Sequence, residues 1–307
     1  MADPTPDTPD LVRLANGELS LAVAPHAGGA IASFRLGDTP LLREASEEAL
    51  AAGEATQTAS FPLVPFSGRI AWATFSFGGE EHRLARNFGD NPHYLHGLGW
   101  RSRWSVGPRG ANAVTLVLDH DASSPDAARH WPYSLRAELT YALEPDALTM
   151  TLAVENRDAR PMPAGLGFHP YFPRRPGATL RLRAASVWLP DENEIPTKRE
   201  APKGDTDFSS AKAVETVTLD NAFSGFGGKA ELTFPDRRVA LTIDAEPLFS
   251  HCVVFVPPGK DFFCVEPVSH MPDAIHRMAE VKDHGLRILA PHERLVGTAR
   301  IAVERLP

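Results

Sequence analysis

Apolar and polar side chains alternate along many short segments of this chain, which is the pattern of strands with one buried face. From Ser134 to Tyr141, apolar residues occupy one side of the segment and polar residues the other. Glu144–Ala147 then places Pro at the second position of a turn, and Leu148–Val154 alternates again. These segments predict an antiparallel hairpin.

The same alternation recurs along the chain, at residues 19–23, 114–118, 232–234, 239–243 and 301–303. Closely spaced strands with few helical patterns predict an all-β fold, a large antiparallel β-sandwich with few short helices. A parallel sheet is disfavoured because its strands would be continuous apolar runs. The best helix candidate is the Ala- and Glu-rich segment Glu44–Ala55, and the polar segment Asp191–Ala213 is predicted to be a long loop.

We expect residues 1–307 to form one domain, because no repeat or linker divides them. Residues 1–10 are expected to be a flexible tail, and they do not have the pattern of a signal peptide. No run approaches the roughly 20 apolar residues of a membrane helix. The net charge of -8, without a basic tract, disfavours nucleic acid as a partner. Cys252 and Cys264 lie on apolar runs, which predicts two buried thiols and a cytoplasmic location.

The segment Gly165–Phe172 places His169 between a Gly pair and a Pro-aromatic corner. Gly165 and Gly167 are expected to let the backbone approach a ligand closely, and Pro170 biases His169 toward extended geometry. An imidazole titrates near neutral pH, so it suits proton transfer. The alternative is that His169 caps a turn by bonding a backbone carbonyl.

Three further side chains are candidates for chemistry or ligand binding. Glu266 ends an apolar run and is fixed by Pro267, so partial desolvation would make it a better base near neutral pH. The alternative for Glu266 is a strand end that faces water. Arg69 offers a rigid donor fork and Asp220 an acceptor, although a surface Arg and a turn-forming Asp are the ordinary alternatives.

His93 and His96 are spaced for a shared metal only on a helix, which Pro92 and Gly97 oppose, so no metal is expected there. Trp100 can stack on a ligand ring, although packing in the interior is the more frequent role of Trp. The sequence has no dinucleotide fingerprint and no phosphate loop, so no cofactor is expected.

Taken in order, these motifs resemble the aldose 1-epimerase (galactose mutarotase-like) family over about Leu19–Val303. The resemblance is carried by Arg69, Leu95-His-Gly97, His169-Pro-Tyr-Phe172, Asp220-x-x-Phe223 and Val265-Glu-Pro267. It implies a large antiparallel β-sandwich with a cleft that binds a small-molecule sugar, in a monomer or a homodimer.

The resemblance also implies roles for individual residues. Glu266 corresponds to the general base, His169 to the general acid, and His96 to a second imidazole near the sugar's ring oxygen. Sugar hydroxyls are expected to be bound by Arg69 and Asp220. The family usually has Asn immediately before this Arg, and Gly68 lacks that side-chain contact.

These roles predict a mutarotase that interconverts the α and β anomers of a hexose. Glu266 would take the proton of the C1 hydroxyl while His169 protonates the ring oxygen, and the same pair would close the ring after rotation about C1–C2. This scheme expects a protonated His169 beside an ionised Glu266 at the start.

Three alternatives stay open. The substrate can be a hexose 6-phosphate, bound through arginines near the motifs, namely Arg101, Arg103, Arg174 and Arg175. The protein can instead bind or sense sugars without turnover. A glycoside hydrolase would need two carboxylates, and Asp220 is the only evident partner of Glu266.

Overall fold

The computed structural model describes residues 11–307, so the tail predicted for residues 1–10 lies outside the described residues. Strands dominate the structure. In the first half of the chain they are β1 (Val12–Asn16), β2 (Leu19–Ala24), β3 (Ala30–Leu36), β4 (Thr39–Pro40), β5 (Ser60–Leu63), β6 (Arg69–Ile70), β7 (Thr74–Phe77), β8 (Glu80–Arg83), β9 (Tyr94–Leu95), β10 (Ser105–Arg109), β11 (Ala113–His120), β12 (Leu135–Leu143) and β13 (Ala147–Asn156).

In the second half they are β14 (Met162–Ala164), β15 (Gly167–Pro173), β16 (Thr179–Leu182), β17 (Ser186–Pro190), β18 (Pro196–Glu200), β19 (Lys212–Ala213), β20 (Leu219–Ser224), β21 (Lys229–Phe234), β22 (Val239–Ala245), β23 (His251–Val256), β24 (Phe262–Val268), β25 (Arg287–Leu289) and β26 (Arg294–Arg305). The described α-helices are short: α1 (Glu47–Ala51), α2 (Pro125–Ala128) and α3 (Ala274–Arg277). Single 3-10 turns occur at Ala55–Gln57, Ala71–Ala73, Gly99–Arg101, Gly204–Thr206, Val214–Thr216 and Pro235–Arg237.

Two large antiparallel sheets contain most of these strands. The first has 11 strands in the order β1-β2-β3-β5-β15-β24-β23-β20-β17-β18, with β4 beside β3. The second has nine, in the order β10-β11-β12-β13-β26-β22-β21-β16-β19. Three two-stranded pairs, β6-β9, β7-β8 and β14-β25, complete the set. The predicted all-β antiparallel architecture is confirmed.

The hairpins predicted from alternation are also confirmed. β12 alternates between buried and half-buried residues along its whole length and pairs with β13 in the register Leu139↔Leu152. One continuous cluster of buried apolar side chains extends from Val12 to Ile301 and draws on both large sheets. Each large apolar side chain fully removed from water contributes about 1.5–3 kcal/mol, so this cluster is the main source of stability.

Two local predictions need adjustment. The helix expected at Glu44–Ala55 is present but is only α1, capped by the Ser46 hydroxyl, which accepts a hydrogen bond from the Ala49 N–H at 3.1 Å. The long loop predicted at Asp191–Ala213 is wrong for β18, which pairs with β17 at the edge of the first sheet. It is also wrong for β19, which pairs with β16 at the edge of the second sheet. Most β18 residues are exposed on both faces, so the strand has no alternation to detect.

Within residues 11–307, no helix has the length and apolar character needed to cross a membrane. Cys252 and Cys264 are free thiols and both are buried, as predicted.

Candidate active site

One face of the first sheet carries a cavity of ≈ 540 Å³, a size typical of small-molecule sites. Because successive side chains of a strand point to opposite faces, alternate residues of neighbouring strands form its floor. They are Phe61 on β5, His169 and Tyr171 on β15, Phe262 and Glu266 on β24, Val253 and Phe255 on β23, Asp220 and Ala222 on β20, and Trp188 and Pro190 on β17. β6 supplies Arg69, and loops supply further lining residues, among them Arg43, His96, Glu194 and Lys260. All six side chains singled out from the sequence therefore line one cavity: Arg69, His96, Trp100, His169, Asp220 and Glu266.

His169 and Glu266 are in contact on adjacent strands. The register of β15 and β24 pairs Gly167 with Val268 and Tyr171 with Cys264, which sets His169 opposite Glu266. The imidazole Nε2 lies 3.3 Å from the carboxyl Oε1, and both residues are buried, 7% and 3% exposed. Two residues about a hundred positions apart in the chain thus meet at one point of the cavity floor.

The surroundings favour the neutral form of each partner. Burial, followed by the electrostatic effects of His96 and Arg43, lowers the pKa of His169 well below its ordinary value. Burial, followed by the charge of Asp220, raises the pKa of Glu266 well above its ordinary value, against the opposing effect of Arg69. The expected resting state, an imidazolium beside a carboxylate, is therefore not the one that this environment favours. In either arrangement the pair holds one proton, which needs to move only between Oε1 and Nε2.

Aromatic neighbours fix the orientation of the His169 ring. The rings of Phe61 and Tyr171 each pack against it with centroids 4.6 Å away and near-parallel planes. Its Nδ1 is buried and has no hydrogen-bond partner among residues 11–307. His169 therefore does not cap a turn, which was the alternative interpretation of its motif.

His96 lies beside this pair as a neutral donor. Its Nδ1 accepts a hydrogen bond from the Gly68 N–H at 3.2 Å, which leaves the ring proton on Nε2. Burial, and then the charge of Arg69, lowers the pKa of His96 to about 3. The rings of His96 and His169 have centroids 5.4 Å apart, so both imidazoles serve the same part of the cavity.

Arg69 is the centre of a charged group at the other end of the floor. It pairs with Asp220 at 3.2 Å and with Glu194 at 2.7 Å. Burial alone would lower the pKa of Arg69, but the two carboxylates outweigh it and the pKa is raised. This group offers both donors and acceptors to a polyhydroxyl ligand.

Glu194 was missed by the sequence reasoning, because it lies in the polar segment predicted to be a loop. Its backbone is left-handed, with φ 61, a conformation that costs a non-glycine residue free energy. Neighbouring contacts impose it: the carboxylate of Asp191 accepts hydrogen bonds from the N–H groups of Asn193 and Ile195.

The Asn193 carbonyl also accepts a hydrogen bond from His93 Nε2 at 2.8 Å. His93 thus has a structural role, consistent with the expectation of no metal there.

Two expectations about the site residues were wrong or need revision. Gly165 does not bring the backbone close to a ligand, because a Cβ there would collide with the ring of His270, inside the protein. Trp100 lines the cavity but is only 1% exposed, and its indole N–H donates to the Leu95 carbonyl. It therefore packs beneath the floor as Trp commonly does and has little surface for stacking on a ligand.

One group of side chains has the composition of a metal site. His169, Cys264 and Glu266 place their ligand atoms within 4.8 Å of one another. A thiol binds metal as the thiolate, and burial raises the pKa of Cys264 well above its ordinary value. Metal binding by this group would therefore have to displace a proton from a buried thiol.

The four arginines considered for a phosphate do not line this cavity. Arg101 lies in a separate cavity of ≈ 440 Å³ and donates to the Asn87 carbonyl. Arg174 donates to the carbonyls of residues 215, 217 and 257, and Arg175 pairs with Asp236. Adjacency in sequence did not translate into adjacency in space.

The family model for aldose 1-epimerase matches residues 10–302. The chain is 32% identical over 302 residues to the uncharacterised protein YphB of Escherichia coli K12, a match that covers 95% of this chain and 98% of that protein. It is 31% identical over 163 residues to the galactose mutarotase of Homo sapiens, covering 48% of this chain and 44% of that enzyme.

Two solved structures are similar to this chain over nearly its whole length. A putative aldose 1-epimerase from Escherichia coli K12 superposes with a TM-score of 0.87 at 32% identity, covering 97% of this chain and 99% of that one. A galactose mutarotase-like protein from Clostridium acetobutylicum superposes with a TM-score of 0.86 at 20% identity, covering 96% and 95% of the two chains. At that lower identity the second likeness shows the fold alone.

Proposed function

The chain belongs to the aldose 1-epimerase family, and from this premise we propose that it interconverts the α and β anomers of an aldose by acid–base ring opening and closing. The contact between His169 Nε2 and Glu266 Oε1 on the cavity floor is the observation that carries the proposal. An aldose presents its C1 hydroxyl and its ring oxygen one carbon apart. An acid and a base in contact can therefore serve both atoms at once.

The proton moves in a closed cycle. With the shared proton on His169, the Glu266 carboxylate takes the proton of the C1 hydroxyl while the imidazolium protonates the ring oxygen. The C1–O5 bond breaks, and the ring opens to an aldehyde. After rotation about C1–C2, the neutral imidazole takes the O5 proton back, and Glu266 returns its proton to the new C1 hydroxyl. The pair ends as it began.

Other residues bind and orient the ring. The Nε2–H of His96 can donate to an oxygen near the ring oxygen, and Arg69 and Asp220 can bind hydroxyls at the far end of the floor. Such contacts hold the sugar near the reactive geometry, which is a large part of what an enzyme contributes. The chemistry needs no redox change, because the open-chain aldehyde and both anomers have the same oxidation state.

The test is anomerisation of freshly dissolved single anomers of several aldoses, followed by polarimetry or NMR exchange. We expect acceleration by the parent protein and a loss of about a hundredfold or more in Glu266→Gln and in His169→Asn. His292→Asn and Glu304→Gln, which change exposed residues of the same types, are the matched controls. Near-normal rates in either cavity variant would refute the acid and base roles of this pair. Tight sugar binding without acceleration by the parent would indicate a binding protein.

A further inference from the structure

The two ends of the cavity have opposite electrostatic character. Asp220 and Glu194 lie at the β20 end with Arg69. Tyr171 on β15 is three strands away, or roughly 14 Å at the usual strand spacing. Arg43 packs on Tyr171 at that second end, and Lys260 lines the cavity from the turn between β23 and β24.

Arg43 is a guanidinium without a carboxylate partner. No acidic side chain in residues 11–307 lies within 4.0 Å of it, and Asp261 acts on it only from farther away. Burial lowers the pKa of Arg43, as expected for a partly desolvated charge that lacks a close counter-ion. Most partly buried cations are paired with an acidic group, so Arg43 remains able to bind an anion.

The guanidinium is nevertheless fixed in place. Its Nε and Nη2 donate to the carbonyls of Thr58 and Thr56, and its plane lies over the ring of Tyr171, with Cζ 3.7 Å from the centroid. The Tyr171 side chain also lies close enough to raise the pKa of Arg43, against the effect of burial. An ordered guanidinium loses little entropy on binding an anion.

Lys260 adds a second positive charge to the lining of the cavity. It precedes Phe262 by two residues in the turn between β23 and β24, and the Phe262 ring lies 4.8 Å from the Arg43 guanidinium. Lys260 is exposed and forms no ion pair with the described residues. Tyr171 and His169 are two apart on β15, which is about 6.6 Å along a strand. A sugar with C1 at His169 and Glu266 can therefore reach this end with an exocyclic substituent.

We propose that Arg43 and Lys260 form an anion subsite, and that the preferred substrate is an aldose with a negatively charged group remote from C1, such as a carboxylate or a phosphate. This inference rests on the proposed mutarotase activity and adds the class of substrate. The proposed anion ligands are thus two residues that line the cavity. They are not the four arginines considered from the sequence, Arg101, Arg103, Arg174 and Arg175.

The experiment compares glucose, glucuronate and glucose 6-phosphate in anomerisation and in calorimetric binding. We expect kcat/KM to be about tenfold or more higher for at least one anionic sugar than for glucose, as a charged hydrogen bond implies. The two anionic arms distinguish a carboxylate site from a phosphate site. High salt should weaken the binding of the anionic sugars and leave the binding of glucose unchanged, because salt screens the interaction with the charged group.

Lys260→Gln is the decisive variant, since the side chain is exposed and its loss does not threaten folding. We expect it to lower the ratio of anionic to neutral kcat/KM by roughly threefold to tenfold. Arg43→Gln should lower that ratio further, and Arg43→Lys should recover part of it. Lys282→Gln, an exposed lysine outside the cavity, is the control.

Each outcome decides something. Acceleration of glucose with no preference for either anion, or an unchanged ratio in Lys260→Gln, overturns the subsite and leaves the proposed function standing. No acceleration of any sugar overturns the proposed function. In that case, calorimetry still tests the subsite, which requires tighter binding of an anionic sugar than of glucose and a loss of that difference in Lys260→Gln.

Discussion

His169 and Glu266 face each other across the β15–β24 pair with 3.3 Å between Nε2 and Oε1. Two such groups at this distance titrate as a coupled pair and not as independent residues. The state with one shared proton is the competent one, whichever partner holds the proton in the empty cavity. The pH range in which the pair is competent therefore ends at low pH with the gain of a second proton. It ends at high pH with the loss of the shared proton.

We expect kcat/KM for a neutral aldose to be limited by one ionisation at acid pH and by another at alkaline pH. A second proton must enter at His169, whose pKa is lowered by burial, His96 and Arg43, so the acid limb lies well below 6.5. The last proton leaves Glu266, whose pKa is raised by burial and Asp220, so the alkaline limb lies well above 4.5. A pH–rate profile from about pH 5 to about pH 9 measures both limbs. An acid limb centred near 6.5 would show that His169 titrates as an ordinary exposed imidazole.

Glu266→Gln should raise stability while it removes activity. A carboxyl whose pKa is higher in the folded state than the ordinary 4.5 destabilises the fold progressively as the pH rises above 4.5 through the folded pKa. Gln cannot ionise, so the variant should be about 0.5–2 kcal/mol more stable than the parent at neutral pH. The difference should shrink as the pH falls through the folded pKa toward 4.5, and it should be absent below 4.5.

Thermal unfolding at neutral and acidic pH measures this effect, with Glu304→Gln as an exposed control that should change little. If Glu266→Gln were less stable at neutral pH, the carboxylate would be stabilised in the resting protein. The resting pair would then be an imidazolium and a carboxylate.

The fold was accessible from the sequence because its signals are local. Alternation within β12 and β13, with a Pro-containing turn between them, is sufficient to specify a hairpin. β18 was missed because an edge strand exposed on both sides lacks that alternation.

The candidate site could be predicted from the sequence only in part. His169 and Glu266 lie in distinctive motifs, whereas Arg43, Glu194 and Lys260 reach the cavity from loops whose sequences have no periodicity. Their placement depends on the folded positions of other segments, such as the Asp191 carboxylate that shapes the turn at Glu194. The motifs did not indicate that the surroundings favour the neutral form of each partner, because burial, which is the largest cause of both pKa shifts, cannot be read from a motif.

Glu194→Gln should weaken sugar binding more than it slows chemistry. The Glu194 carboxylate is 58% exposed and pairs with Arg69 at 2.7 Å, which aligns the guanidinium at the hydroxyl-binding end of the cavity. Asp220 remains as a partner at 3.2 Å, so we expect KM to rise by up to about fivefold with kcat nearly unchanged. Steady-state kinetics with a neutral aldose measures the split, and Glu192→Gln, an exposed neighbour, is the control. A fall in kcat at constant KM would place Glu194 in the chemical step instead.

Gly68→Asn should destabilise the protein, although the family resemblance leads us to expect Asn at this place. Gly68 has φ +66, which Asn tolerates, so the backbone is not the main obstacle. A Cβ at Gly68 would lie 3.0 Å from the Cβ of Pro272, closer than normal packing allows. We expect a loss of about 1–3 kcal/mol in the free energy of unfolding, as is typical of overpacking.

A double-mutant cycle separates this contact from a backbone effect. Pro272→Ala should recover part of the stability lost in Gly68→Asn, which gives a non-additive pair. Gly37→Asn is the matched control, because Gly37 has φ +54 and a Cβ added there would meet no atom within 4 Å. If Gly68→Asn and Gly37→Asn cost the same, the left-handed backbone and not Pro272 would explain why glycine occupies the place before Arg69.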